Sequence, residues 1–154
     1  LTVDGEVRLM GAYIVKCTGV DKNADGSIAA IHCTADLETG NGNPADGRKV
    51  KGTIHWVDAA TAVDAEIRLY DRLFNVENPS DERGVESYLE NLNPDSLTIL
   101  KGCKAEAMLG AVKPGDSFQF LRTGYFCADY DYTPEHPVFN RTVALKDSWS
   151  KKQG

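Results

Sequence analysis

The feature that most restricts what this chain can fold into is its punctuation. Apolar segments are short, they alternate with polar residues, and Gly, Asn, Asp and Pro interrupt them at close intervals. Segments of this kind suit strands, whose side chains point alternately to two faces, and are too short to lay a continuous apolar stripe along a helix. Residues 6–20, with Val7, Leu9, Tyr13 and Val15 in alternation, are predicted as one strand. Residues 21–26 close on Asp-Gly, which suits a tight reversal with positive φ, and Ile28, Ile31 and Thr34 mark the returning strand. Residues 38–47 are rich in Gly, Asn and Pro and read as loop. Further strands are expected at 49–57, 66–74, 96–104, 117–122, 124–129 and 138–145. The segment 84–92 has room for one or two helical turns before Asn93-Pro94, and 146–154 reads as a tail pinned by Trp149. The expected fold class is all-β with little helix: two small β-barrel-like units, 1–74 and 75–154, meeting at a polar stretch that begins near Asn75.

A chain of 154 residues can bury a core, and 42% hydrophobic with 26% charged residues is the balance of a soluble globular protein. The formal net charge of −6 provides no overall attraction to nucleic acid, so any RNA site must be local. Cys17, Cys33, Cys103 and Cys127 form no CxxC pair and no signal peptide precedes them. This pattern fits reduced thiols in a cytoplasmic protein better than a zinc site or a secreted disulfide framework. No run approaches the ~20 apolar residues of a membrane span. The first residues already read as strand, so the chain is expected to begin inside a longer protein.

The residues suggest no catalytic or metal centre. His32 and Cys33 are strand neighbours and face opposite sides, His55 and Trp56 likewise, and His136 lies in a Pro-flanked turn. Asp129 and Asp131 share a strand face, a pattern usually left to solvent. The glycines of 45–52 are too few for a phosphate loop, and no helix start follows them. Arg48, Lys49 and Lys51 form a cationic run at a predicted strand start. There Lys49 and Lys51 would share a face toward phosphates, or would protect a solvated edge. More specific is 116–126: Phe118 and Phe120 point one way and Gln119 the other, with Arg122 close by. An amide both donates and accepts, so it matches the edge of an extruded uracil, the kind of unpaired base that proteins read in RNA. Strict alternation puts Gln119 and Arg122 on opposite faces; they can serve one base only if the strand ends or bulges near Thr123-Gly124. By themselves these residues also fit an ordinary exposed strand over two core phenylalanines.

Several segments, in order and spanning nearly the whole chain, resemble the C-terminal region of glutaminyl-tRNA synthetases. They are Glu6-Val-Arg-Leu, Pro44-Ala-Asp-Gly-Arg-Lys-Val-Lys-Gly-Thr-Ile-His-Trp-Val, Glu66-Ile-Arg-Leu-Tyr-Asp-Arg-Leu-Phe, Phe118-Gln-Phe, Gly124-Tyr-Phe-Cys and Val138-Phe-Asn-Arg-Thr-Val. The resemblance implies a class I glutamine-tRNA ligase whose ATP- and magnesium-dependent catalytic domain lies upstream. It implies that this part, inactive and cofactor-free alone, forms a distal barrel (mainly 1–74) and most of a proximal one (75–154). These would grip the anticodon loop of glutamine tRNA beside the enzyme's own catalytic domain, in a monomer. By position it assigns Arg8 to the first anticodon nucleotide, and Gln119 and Arg122 to the central uracil. The departure is Met10, where the family pattern has a second arginine and a thioether cannot donate a hydrogen bond. Alternative readings are the barrel-type glutamyl-tRNA synthetase, the related 5S-rRNA-binding ribosomal barrel and a protein-interaction barrel.

Overall fold

A computed structural model describes residues 1–80, 84 and 87–145, so the tail expected at 146–154, with Trp149, lies outside the described residues. The all-β expectation is borne out: nine strands lie in two sheets, with two short 3-10 turns among the described residues. The chain divides into two compact units, Leu1–Trp56 and Val57–Gly154.

The first unit holds β1 (Glu6–Leu9), β2 (Ile14–Lys22), β3 (Ile28–Asp36) and β4 (Thr53–Ile54), in the sheet order β3-β2-β1-β4. The single strand predicted for 6–20 is in fact two. Gly11, at φ +72°, lets the chain reverse, and the Leu9 N–H donates to the Tyr13 carbonyl at 2.9 Å. Val7 is thereby placed opposite Val15, and these two, with Ile14 and Cys17, are the buried apolar strand residues of this unit, joined by Pro44 in the loop. The Asp-Gly reversal at 25–26 forms as expected: Gly26 stands at φ +84° and donates to the Asn23 carbonyl at 3.0 Å. The strand expected over 49–57 shrinks to Thr53–Ile54, paired parallel to β1. Before it the backbone makes only a point contact, from the Arg8 N–H to the Gly52 carbonyl at 2.8 Å. A side chain at Gly52 would stand 3.1 Å from Val7 Cγ1.

The second unit holds β5 (Val63–Tyr70), β6 (Leu97–Ala105), β7 (Ser117–Phe120), β8 (Gly124–Ala128) and β9 (Val138–Ala144), in the order β6-β5-β9-β8-β7. Only β5 and β9 run parallel. Both sheets are open rather than closed barrels. The division at Trp56–Val57 falls earlier than the 74/75 boundary read from the sequence. The cause is β5, which is hydrogen-bonded on both edges, to β6 and β9, and which buries Ala65 and Ile67 in the second core. That core is aromatic: Phe120 stacks on Phe126 at 4.3 Å between centroids, and Phe139 meets Phe118, Phe120 and Tyr132 edge-on. Stacked and edge-to-face arrangements both suit the ring quadrupole. Tyr132 satisfies its buried hydroxyl by donating to the Leu109 carbonyl at 3.0 Å. The helical turns expected within 84–92 appear as a 3-10 turn, Tyr88–Asn91, started by a Ser87/Glu90 capping box.

Candidate RNA interface

The β7–β8 hairpin carries the two residues that the sequence singles out for base reading. Phe118 and Phe120 turn their rings into the core, so Gln119 between them faces outward and is exposed. Strand β7 stops at Phe120, and Leu121-Arg122-Thr123 make the turn, closed by the Thr123 N–H donating to the Phe120 carbonyl at 2.9 Å. Arg122 sits at φ +64°, a left-handed conformation that an arginine adopts at a cost of about 1 kcal/mol. The strand ends before Arg122, so the alternation that would set it against Gln119 no longer applies. Gly124 closes the hairpin because only glycine fits: a Cβ there would lie 2.8 Å from the Val143 carbonyl oxygen.

A third residue of this face escapes the sequence reading. Tyr125 pairs directly with Gln119 across the hairpin and remains 45% exposed, so an aromatic ring shares the outer face with the amide. In the string Gly-Tyr-Phe-Cys, Tyr125 and Phe126 look equally apolar; only the pairing register separates the outward ring from the buried one.

Arg8 lies on β1 in the first unit, half-buried, with Nη1 donating to the Gly40 carbonyl at 3.3 Å. Arg48 is differently employed. Its guanidinium contacts Glu6 at 3.1 Å, Asp36 at 2.6 Å and Asp46 at 2.7 Å, and the hydrogen bonds it donates, to Asp36 first, then to Asp46 and Glu6, raise its pKa further. Three carboxylates around one cation leave no positive field for a phosphate, so the cationic run reduces to Lys49 and Lys51. Both are exposed, but they precede β4, and the shared strand face expected for them has no strand beneath it.

A second clamp organises the other unit. Arg68 on β5 contacts Glu66 at 2.9 Å, Asp129 at 3.4 Å and Asp131 at 2.9 Å. Asp129 and Asp131 follow the end of β8 and hold Arg68, which corrects the reading of both as one solvated strand face. The Asp131 N–H, the Asn140 amide and Arg68 hold the Asp129 carboxyl below its ordinary pKa. His136 stands 3.7 Å from Glu66, and His32 pairs with Asp21 at 2.7 Å. Among the described residues no group of three His, Cys, Asp or Glu side chains is placed to hold a metal ion, and no helix is long and apolar enough to cross a membrane.

The family described as "tRNA synthetases class I (E and Q), anti-codon binding domain" matches in two models, one over residues 1–36 and one over 53–129. The first includes Arg8 and the second includes Gln119, Arg122 and Tyr125. Among curated relatives, a glutamine-tRNA ligase of Pseudomonas syringae pv. tomato is 53% identical over 97% of this chain and 26% of its own length. One from Alteromonas mediterranea is 52% identical over 98% of this chain and 27% of its own. One from Stutzerimonas stutzeri is 51% identical, again over 98% and 27%. The chain thus spans about a quarter of the length of these relatives. With half of its residues inside one family model and 97–98% of its length aligned to glutamine-tRNA ligases, the chain belongs to the anticodon-binding domain family of the class I tRNA synthetases for glutamate and glutamine, and it is similar to the glutamine members over nearly all of its length.

Proposed function

We propose that the outer face of the β7–β8 hairpin reads the central base of the anticodon loop of glutamine tRNA. The observation that carries this reading is the pairing of exposed Gln119 with exposed Tyr125 beside the Arg122 turn. The Gln119 amide donates to and accepts from the edge of an extruded uracil, Arg122 adds guanidinium donors, and the Tyr125 ring offers a surface on which the base stacks. Arg8 addresses the first anticodon nucleotide from the other unit, without help at position 10, where Met10 has nothing to donate. Lys49 and Lys51 contribute phosphate attraction. In the intact cytoplasmic protein, taken to be monomeric, this contact orients the tRNA for glutamine ligation by a catalytic domain that binds ATP and magnesium. The chain described here holds and orients RNA and does no bond-making.

The test is tRNA binding by the intact protein, with native tRNA and with a tRNA altered only at the central anticodon base. Gln119→Ala is expected to cost about 1–2 kcal/mol with native tRNA and little with the altered one, so that discrimination narrows. Tyr125→Ala is expected to weaken both tRNAs that present a base, by about 1–3 kcal/mol, and Tyr125→Phe to restore binding. Undiminished discrimination in Gln119→Ala sinks the base assignment, whatever Tyr125 does.

A further inference from the structure

We propose that Cys17 and Cys33 form a dithiol that a small-molecule disulfide oxidises to a cross-strand disulfide within the β2–β3 hairpin. The two residues are direct partners in the antiparallel register, so their side chains leave the same face of the sheet. The backbone of Cys17 is committed away from β3: its N–H donates to the Gly5 carbonyl at 3.0 Å and its carbonyl accepts from the Asp4 N–H at 2.9 Å. The Cys17–Cys33 pair is therefore of the non-hydrogen-bonded kind, in which opposed Cα atoms approach to about 4.5 Å and side chains lie closest. That separation falls within the span of roughly 4.4–6.8 Å that a disulfide bridges. The register also slips between Cys17 and Gly19, an irregularity that gives the strand local freedom to adjust.

Exposure sets the order of events. Cys33 is exposed while Cys17 is 1% exposed, with its Sγ–H donating to the Gly19 carbonyl at 3.6 Å. The Cys33 thiolate attacks one sulfur of the small disulfide, forms a mixed disulfide and expels one thiolate. Cys17 then turns about χ1 and loses its proton to that thiolate or to water. It attacks the Cys33 sulfur and expels the second thiolate. Two protein thiols are oxidised by two electrons, and one disulfide is reduced to two thiols. The product ties β3, an edge strand exposed along nearly its whole length, to a residue of the first unit's core.

The experiment incubates the intact protein with oxidised glutathione, alkylates the remaining thiols and digests with trypsin without reduction. Cleavage after Lys16, Lys22 and Arg48 separates the two cysteines, so the bond appears as peptide 17–22 linked to peptide 23–48. This linked pair is expected to outweigh every link to Cys103 or Cys127 and to vanish on treatment with reduced glutathione. Cys17→Ala is expected to accumulate the glutathione adduct on Cys33, having lost the resolving thiol. The proposal is overturned if the unsubstituted protein keeps a lasting adduct on Cys33 with Cys17 still open to alkylation, or if the linked peptides are no more abundant than random pairings.

Discussion

The two units place the same device, an arginine among three carboxylates, in different surroundings. Arg68 is 20% exposed, and two of its partners, Glu66 and Asp129, are 11% and 14% exposed; Arg48 is 33% exposed, among partners at 27%, 30% and 59%. The second clamp borders a core of eight buried residues that includes Phe126, Tyr132 and Phe139, whereas the first unit buries Val7, Ile14, Val15, Cys17 and the loop residue Pro44, none of them aromatic. Hydrophobic burial scales with apolar area, so the second unit draws its stability from rings. In the first, hydrogen bonds also tie a loop down, such as those of Thr39, which donates to the Asp36 carbonyl at 2.7 Å and accepts from the Ile14 N–H at 3.4 Å. The β7–β8 hairpin thus rests on the better-packed floor.

The largest effect that would break this contrast comes from the cores. Phe139→Ala is expected to cost about 3–5 kcal/mol, and Val7→Ala roughly 2 kcal/mol. Hydrogen exchange resolved by peptide checks this, with protection lost across β5, β8 and β9 in the first variant and across β1 and β2 in the second. Equal losses from both would end the contrast.

Next in size are the clamps. Arg68→Met is expected to lower the denaturation midpoint more than Arg48→Met, because it strands two mostly buried carboxylates where Arg48→Met strands better-hydrated ones. Urea titrations of the two variants side by side decide the order, and a larger fall for Arg48→Met would reverse it.

The smallest effect sharpens the comparison through pH. The folded-state pKa of Asp129 is depressed below its ordinary 3.8, chiefly by the Asp131 N–H. A depressed carboxylate stabilises the fold above its unfolded pKa and loses that contribution as pH falls through the folded value. Asp129→Asn is therefore expected to be less stable than the parent at neutral pH and to converge with it well below pH 3.8, measured as midpoint against pH. Curves that stay parallel throughout would remove Asp129 from the account.

Where sequence and structure agree, a local cue sufficed. The β2–β3 reversal was legible because Asp25-Gly26 favours the positive φ it adopts, and the outward Gln119 because alternation between two phenylalanines leaves one option. The reversal at Gly11 was hidden because Val7, Leu9, Tyr13 and Val15 keep one parity across it. Arg48 was visible as a cation, but the acids that occupy it are as far as 42 residues away in sequence, a distance that only folding closes. The membership of β5 was out of reach for the same reason, since it depends on β9, whose first partner for Glu66 is Val138. Tyr125 acquires meaning only through its register with Gln119.

The two parallel pairings also order the events of synthesis. β1 finds its neighbour β4 only once Ile54 has left the ribosome, and β5 waits for Val138–Ala144 before its second edge is covered. The thinly cored unit can therefore close first, while the aromatic one stays unfinished through most of its translation, exposing an uncovered strand to chaperones or to neighbouring chains. Ribosome stalling at codons between β8 and β9 would lengthen that exposure, and a pause just after β4 would not.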